Sequence, residues 1–477
     1  MALSLHGLSS RALISLNYLL MPASQSGRRS FSSSLALCLA LIGAGSMIYY
    51  HQELFLPRAA TALAAEGLGN GYSFGNDFYQ VWLTSQEWLR HGRDPYSAEM
   101  TREIQTGLYG RPLDPNRPSD PIDRRIFPYP FYADLLFWPA AEFPFAPLRV
   151  AVVCVLVLLT FASIPLWLRA LDWRLSAKWV GVILLLTLSS YPALEALFAA
   201  QLGLFVAFLL AASMVALQRS RFLLAGILMA ISTIKPQVTA LAIVYFLIWS
   251  AHDWRVRGRF YIGFFATLTL LIGASLAAMP HWIQSWTHTV LSYRHYTRPP
   301  LVTQFLTSLL GTRLAGSGTL VLTAGSILFA IVLAGRNRAA AYGSFAFWMT
   351  LSLLLSITTI TILPGQAIYD HLILIPGILL LMRYRSRLGE AGPVPRMLLA
   401  IGAVVLFWPW IAAFALIPLR LVLPPAQVNS TPILALPLRT AASLPFVLLA
   451  LLAWTHRVWT VRVSPTRLIP AKDAESA

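Results

Sequence analysis

Charge is scarce in this chain. Only 12% of its 477 residues are charged, while 57% are hydrophobic and the mean hydropathy is +0.65. An average soluble domain carries about 25% charged residues, so most of this surface has to be hidden in lipid. Cysteine is nearly absent too. Cys38 and Cys154 both fall inside apolar runs, which suggests neither a disulfide framework nor a cysteine metal site. Residues 1–52 contain no Asp or Glu. No P-loop, dinucleotide-binding glycine pattern or zinc-protease motif is found, and no internal repeat of the transporter kind.

What the chain has instead is a series of apolar runs, many about 17–25 residues long and each able to cross about 30 Å of hydrocarbon as a helix. A β-barrel would show short alternating segments. The expected fold is all-α, a polytopic transmembrane helical bundle. Runs are read near 34–50, 149–168, 179–190, 201–217, 222–234, 238–250, 260–279, 318–335, 341–363, 370–382, 397–418 and 435–455. This divides the chain into an N-terminal tail (1–33), a membrane domain of about 12 spans (34–455) and a C-terminal tail (456–477), with both tails expected in the cytoplasm.

The net charge of +17 does not point to nucleic acid. Most Arg residues sit in short connections, where they set topology. With the N-terminus inside, the basic clusters Arg169–Lys178, Arg219–Arg221, Arg255–Arg259, Arg336–Arg338 and Arg383–Arg396 all fall on the inner side. This holds only if 222–249 breaks into a hairpin at Lys235-Pro236, where proline removes a helix hydrogen bond and disfavours helix at the residue before it. Lys235 then lies near the outer face, lining a cavity. Residues 51–148, 280–317, 364–369 and 419–434 are expected outside. The first of these holds 12 of the chain's 19 acids and 8 Arg. Its middle, "RPLDPNRPSDPIDRRIFPYP", reads as irregular. Before it, "DFYQVWLTSQEWLRH" has Phe78, Val81, Trp82, Trp88 and Leu89 on one helical face, as in an amphipathic helix at a membrane surface.

Ionisable groups at a membrane edge are functional candidates. Four groups converge on the outer side: Asp77; Lys235 with Gln237; Arg294, His295 and Arg298; and Tyr369-Asp370-His371. One carboxylate with cations from separate segments suits deprotonation of a hydroxyl and departure of a phosphate. Plainer roles exist. Asp77 could cap a helix at 78–91, Lys235 could snorkel to headgroups, and Asp370 could cap the next helix. Glu195, Gln201 and Asp134 are weaker candidates.

At "NDFYQVWLTSQEWLRHGRDPYS", "FPYPFYADLLFWPAAEFPF", "QLGLFVAFLLAAS", "LLAGILMAISTIKPQVTALAIVYFLIW" and "YDHLILIPGILLL" the chain resembles glycosyltransferase family 87, membrane transferases of the GT-C class that depend on a polyprenyl-phosphate sugar. The resemblance runs over about 74–382. It implies a GT-C type bundle whose long extracytoplasmic first loop carries amphipathic helices. It implies an inverting transfer, from a polyprenyl-phosphate sugar donor to a glycolipid or glycan acceptor, by a mannosyltransferase or a relative using another sugar. The setting would be the outer face of a bacterial inner membrane, among its lipids. It makes Asp77 the general base. Lys235 and Gln237 would face the donor phosphate, and His371, Tyr369 and Asp370 would line the sugar or phosphate site. No metal and no other cofactor is required in principle. The rival reading is a transporter or flippase for a lipid-linked or anionic substrate.

Overall fold

The computed structural model describes residues 26–69, 73–293, 295–390, 392–428 and 431–462. Arg294 lies outside the described residues. Among those described there is no β-strand, only an isolated antiparallel bridge between Pro300 and Pro364. Short turns aside, the helices are α1 (Ser26–Tyr49), α2 (Leu56–Ala65), α3 (Asn76–His91), α4 (Ala98–Tyr109), α5 (Tyr132–Phe137), α6 (Phe145–Ala170), α7 (Ala177–Leu188), α8 (Tyr191–Phe198), α9 (Leu202–Gln218), α10 (Phe222–Ile231), α11 (Pro236–His252), α12 (Arg259–Ala278), α13 (Trp282–Tyr293), α14 (Leu301–Arg336), α15 (Phe345–Thr361), α16 (Ile375–Glu390), α17 (Pro393–Val422) and α18 (Leu436–Arg462).

A helix underlies each apolar run read from the sequence. Among the described residues, six helical stretches are long and apolar enough to cross a membrane: Ser32–Ala65, Phe145–Ala170, Arg259–Ala278, Gly318–Arg336, Pro393–Val422 and Leu436–Arg457. The pair α7–α8, bent by 59°, makes a seventh if taken as one span. α9, α10, α11 and α15 are shorter apolar helices. They lie at the centre, where α9 and α15 are buried along most of their length. Neighbouring protein covers most of α9, α11 and α15, so they need not reach both faces, whereas α10 keeps Leu223 and Leu224 exposed. α14 is bent where Gly311 takes φ +78°, a left-handed conformation open to glycine.

The chain does fold back at Lys235. The rings of Phe222, at the start of α10, and Trp249, near the end of α11, lie 6.5 Å apart, which a continuous helix of about 1.5 Å per residue could not allow. The same end of the bundle gathers the basic connections. Tyr342 Oη donates to Met214 O at 2.8 Å, Trp249 Nε1 to Ala340 O at 2.8 Å, and the Arg257 guanidinium sits 3.8 Å from the Trp249 ring centroid.

At the other end the Pro300–Pro364 bridge ties "TRPP" to "PGQ", helped by Arg298 N donating to Gln366 Oε1 at 2.8 Å. The first long loop also lies here. Ser97 caps α4 by accepting from Met100 N at 3.0 Å. Gly92 and Gly110 end α3 and α4 in left-handed conformations. The stretch read as irregular is non-helical but stapled down. Arg111 makes a two-pronged pair with Asp120 at 2.6 and 2.9 Å. Tyr96 Oη donates to Tyr129 O, Trp286 Nε1 to Pro128 O and Tyr132 Oη to Thr233 O, at 2.8, 3.1 and 2.9 Å. α3 is not a simple surface helix. Phe78 and Val81 are fully buried, while Leu89 stays exposed.

The positive-inside rule expects the basic end in the cytoplasm. With exposed Cys38 and Cys154 replaced by Ala, a cysteine at Pro115 should react with an impermeant maleimide on intact cells, and one at Ser386 only after permeabilisation. The reverse pattern would overturn the orientation.

Candidate functional site

Asp77 does not cap α3. The helix begins at Asn76 after Gly75 in a left-handed conformation, and no side chain caps it. The carboxylate is free to point elsewhere. Its Oδ1 accepts from Arg125 Nη1 at 2.5 Å, and its Oδ2 accepts from Gln201 Nε2. The backbone before α3 is fixed to the end of α8, with Gly75 N donating to Phe198 O at 2.7 Å and Asp77 N to Ala199 O at 3.0 Å.

From Gln201 the polar contacts continue. Gln201 Oε1 accepts from Lys235 Nζ at 3.0 Å, and Lys235 Nζ also donates to both oxygens of Asp370 at 2.8 and 2.9 Å. Arg125, Asp77, Gln201, Lys235 and Asp370 thus form one chain of charge-assisted hydrogen bonds across five parts of the sequence. Lys235 and Asp370 are 4% and 3% exposed. Neither snorkelling nor helix capping describes them. Lys235 does not present an open ammonium to a cavity, because that ammonium is committed to Asp370. Its Nζ lies 5.0 Å from the Tyr369 ring centroid.

Two backbone features make the arrangement possible. A Cβ at Gly203 would overlap Asp370 Oδ1 and lie 3.3 Å from Lys235 Nζ, so the start of α9 can approach the pair only as glycine. Arg125 takes φ +53°, uncommon for a non-glycine residue. Its N–H donates to Asp123 Oδ1 at 2.9 Å, an Asx turn that holds the kink. Its Nε donates to Tyr109 Oη at 3.2 Å.

The remaining expected residues are spread around this chain. Gln237 is half-buried in the first turn of α11 and joins no hydrogen bond among the described residues. His295 is exposed on a turn after α13. His371 is buried and, unlike Asp370, lines a half-open apolar groove with Ser190, Tyr191, Ile378 and Phe407. The groove has a cavity volume of about 160 Å³. A second apolar space of about 100 Å³ shares Ile378, Met382 and Phe407 with it and continues to Arg385. Tyr129 was missed from sequence. Burial, and behind it the Asp77 and Asp370 carboxylates, pushes its phenol well above the ordinary value. It therefore stands as a neutral hydroxyl near two acids. Arg125 was missed as well, since an "RR" in a proline-rich loop looks like ordinary surface charge.

Comparison with known families gives one match. Residues 127–357 match the family model of Glycosyltransferase family 87. The match marks the chain as a glycosyltransferase. It takes in Tyr129, Gln201, Gly203 and Lys235, whereas Asp77, Arg125 and Asp370 lie outside it and are brought alongside by the fold. No curated protein and no solved structure matches.

Two further acids, half-buried Glu195 and buried Asp134, are held elsewhere in the fold. Glu195, on α8, meets His51 Nε2 at 3.1 Å, at a π-helical turn (Tyr50–Phe55) that interrupts the first membrane helix. Asp134 Oδ1 accepts from Thr84 and Ser85 hydroxyls at 3.0 and 3.2 Å, while its Oδ2 has no partner among the described residues. Burial pushes the Asp134 carboxyl well above its usual range.

Lys235→Met should cost about 3–5 kcal/mol by leaving Asp370 as an unpaired buried charge. The double substitution with Asp370→Leu should recover most of that loss, as read by thermal unfolding. A single variant as stable as the parent would show that the pair is not buried in solution. Asp134→Asn gives the opposite expectation. The folded value of this carboxyl lies above the unfolded one. Its stabilising contribution is therefore full below about pH 4 and is lost as pH rises through the folded value. The variant should gain on the parent between pH 5 and pH 8.

Proposed function

We propose that the protein is an inverting glycosyltransferase that moves a sugar from a polyprenyl-phosphate donor to a hydroxyl of a lipid or glycan acceptor, at the end of the bundle opposite the basic connections. The observation that carries this reading is the commitment of Asp77. The carboxylate is released from helix capping, fixed at both oxygens, and held beside neutral phenols at the mouth of the irregular loop. A group held in this way is suited to take a proton from an incoming hydroxyl.

In the reaction, the acceptor oxygen bonds to the anomeric carbon while the bond from that carbon to the phosphate oxygen breaks. The electron pair leaves with polyprenyl phosphate, and the acceptor proton passes to Asp77. Arg125 and Gln201 orient the base without displacing its free lone pairs, since each carboxylate oxygen can accept more than one hydrogen bond. Lys235 stabilises Asp370 and, through Gln201, the geometry of Asp77. The apolar groove beside His371 supports a lipid-linked donor: it runs from the site end toward Arg385 and presents almost no polar atoms along its length. The donor supplies the activated sugar, so this reading requires no metal. On the charge argument, the site faces the outside of the cytoplasmic membrane.

Asp77→Asn tests the assignment without removing a helix cap, because the side chain is not the cap of α3. The helix and donor binding should persist, while loss of the charge facing Arg125 should lower the unfolding temperature. Transfer of labelled sugar from polyprenyl-phosphate mannose in membranes should fall by about 10²–10⁴-fold. Transfer at the parent rate would move the base elsewhere, first to Asp370.

A further inference from the structure

The charges at the centre of the site cancel in pairs. Arg125 faces Asp77, and Lys235 faces Asp370. Neither pair has a cation to spare for the phosphate that departs in the proposed reaction, and charge grows on that phosphate as the sugar leaves. Arg124 differs from both. Its Nε and Nη1 are buried and have no hydrogen-bond partner, and among the described residues no carboxylate lies within ion-pair distance of it. The guanidinium rests 5.8 Å from the Tyr296 ring centroid, a contact that leaves Nε and Nη1 unsatisfied. Arginine cannot relieve this by losing its proton, so the buried donors are costly unless an anion completes them.

The backbone shows that this placement is built. Gln105 Nε2 donates to Arg124 O at 2.7 Å, which fixes the residue from α4. The left-handed kink at Arg125 then sends the two neighbouring side chains to different places, Arg125 to Asp77 and Arg124 to Tyr296. Tyr296 lies in the same turn as Tyr293, its N–H donating to Tyr293 O at 2.8 Å. Tyr293 is within electrostatic reach of Asp77, Asp123 and Arg125. Arg124 therefore sits at the edge of the catalytic chain, one residue from the group that holds the base.

We propose that Arg124 is the anion-binding residue of this site and takes the phosphate of a prenyl-linked donor, stabilising it as the leaving group. This rests on the lipid-phosphate donor reading above. Guanidinium and phosphate match in geometry and can pair through two parallel hydrogen bonds.

The test uses the purified full chain in phosphatidylcholine nanodiscs, with farnesyl phosphate and farnesol as probes. The parent should bind the phosphate more tightly than the alcohol. Arg124→Gln should weaken farnesyl phosphate binding about 10- to 100-fold, the range for a charged hydrogen bond, and leave farnesol binding unchanged. Arg124→Lys should retain part of the preference. Thermal unfolding should be unchanged or improved in Arg124→Gln, because an uncompensated charge is removed; a structural arginine would instead show a loss. Arg124→Gln binding the phosphate as well as the parent does would overturn the assignment while leaving the donor reading intact. A parent that does not distinguish phosphate from alcohol would overturn both. Equal loss of farnesyl phosphate binding when phosphatidylglycerol replaces phosphatidylcholine would place a lipid headgroup at Arg124 and overturn its role with the donor.

Discussion

The ion pair between Lys235 and Asp370 joins residues 135 positions apart inside a bundle made almost wholly of apolar helices. Burial of either charge alone would be prohibitive, and even a pair is expensive unless its remaining hydrogen bonds are made. That requirement organises what surrounds it. Lys235 donates to Gln201 as well, and Gln201 uses its amide to hold Asp77, which Arg125 completes from the far side. The start of α9 must come close enough to close the chain, which Gly203 permits. The hairpin at Lys235-Pro236, the Ala200 kink at φ +54° and the 3-10 turn Ile368–Leu374 are the backbone forms that bring the partners within reach.

These forms also explain the uneven helix lengths. Irregular backbone in a lipid environment survives only where protein or water covers it. Here α9, α11 and α15 stop short and are largely enclosed, while longer helices such as α6, α12, α17 and α18 stand at the rim with much of their surface exposed. The first loop closes the same end, its proline-rich stretch fastened by side chains of Gln105, Trp286 and Tyr96 to the carbonyls of Arg124, Pro128 and Tyr129, and by Tyr132 Oη to the Thr233 carbonyl. Rigid supports on several sides of Asp77 limit how far its carboxylate can wander, which is what positioning a proton acceptor demands. An apolar groove opens at His371, so one short turn separates a polar site from a space suited to a hydrocarbon chain.

Hydropathy by itself determined the all-helical membrane class, because an 18-residue apolar run needs nothing from the rest of the chain to declare itself. Arginine placement and Pro236 determined the fold-back at Lys235, since proline's missing N–H is a local fact. Asp77, Lys235 and Asp370 stood out because ionisable residues are rare among apolar ones. Sequence could not tell whether each acted singly, and here only the tertiary structure decided. Asp77 reads as a cap until Gly75 is seen to begin the helix in a left-handed turn. Lys235 reads as a free cation until Asp370 arrives from the other end of the chain. Arg124 and Arg125 read as an unremarkable basic pair, yet one is bound to Asp77 and the other left unpartnered, a difference set by a single positive φ and by Gln105 from the preceding helix. Pairing of charges depends on distances of a few ångströms between remote segments, and no local pattern encodes those distances.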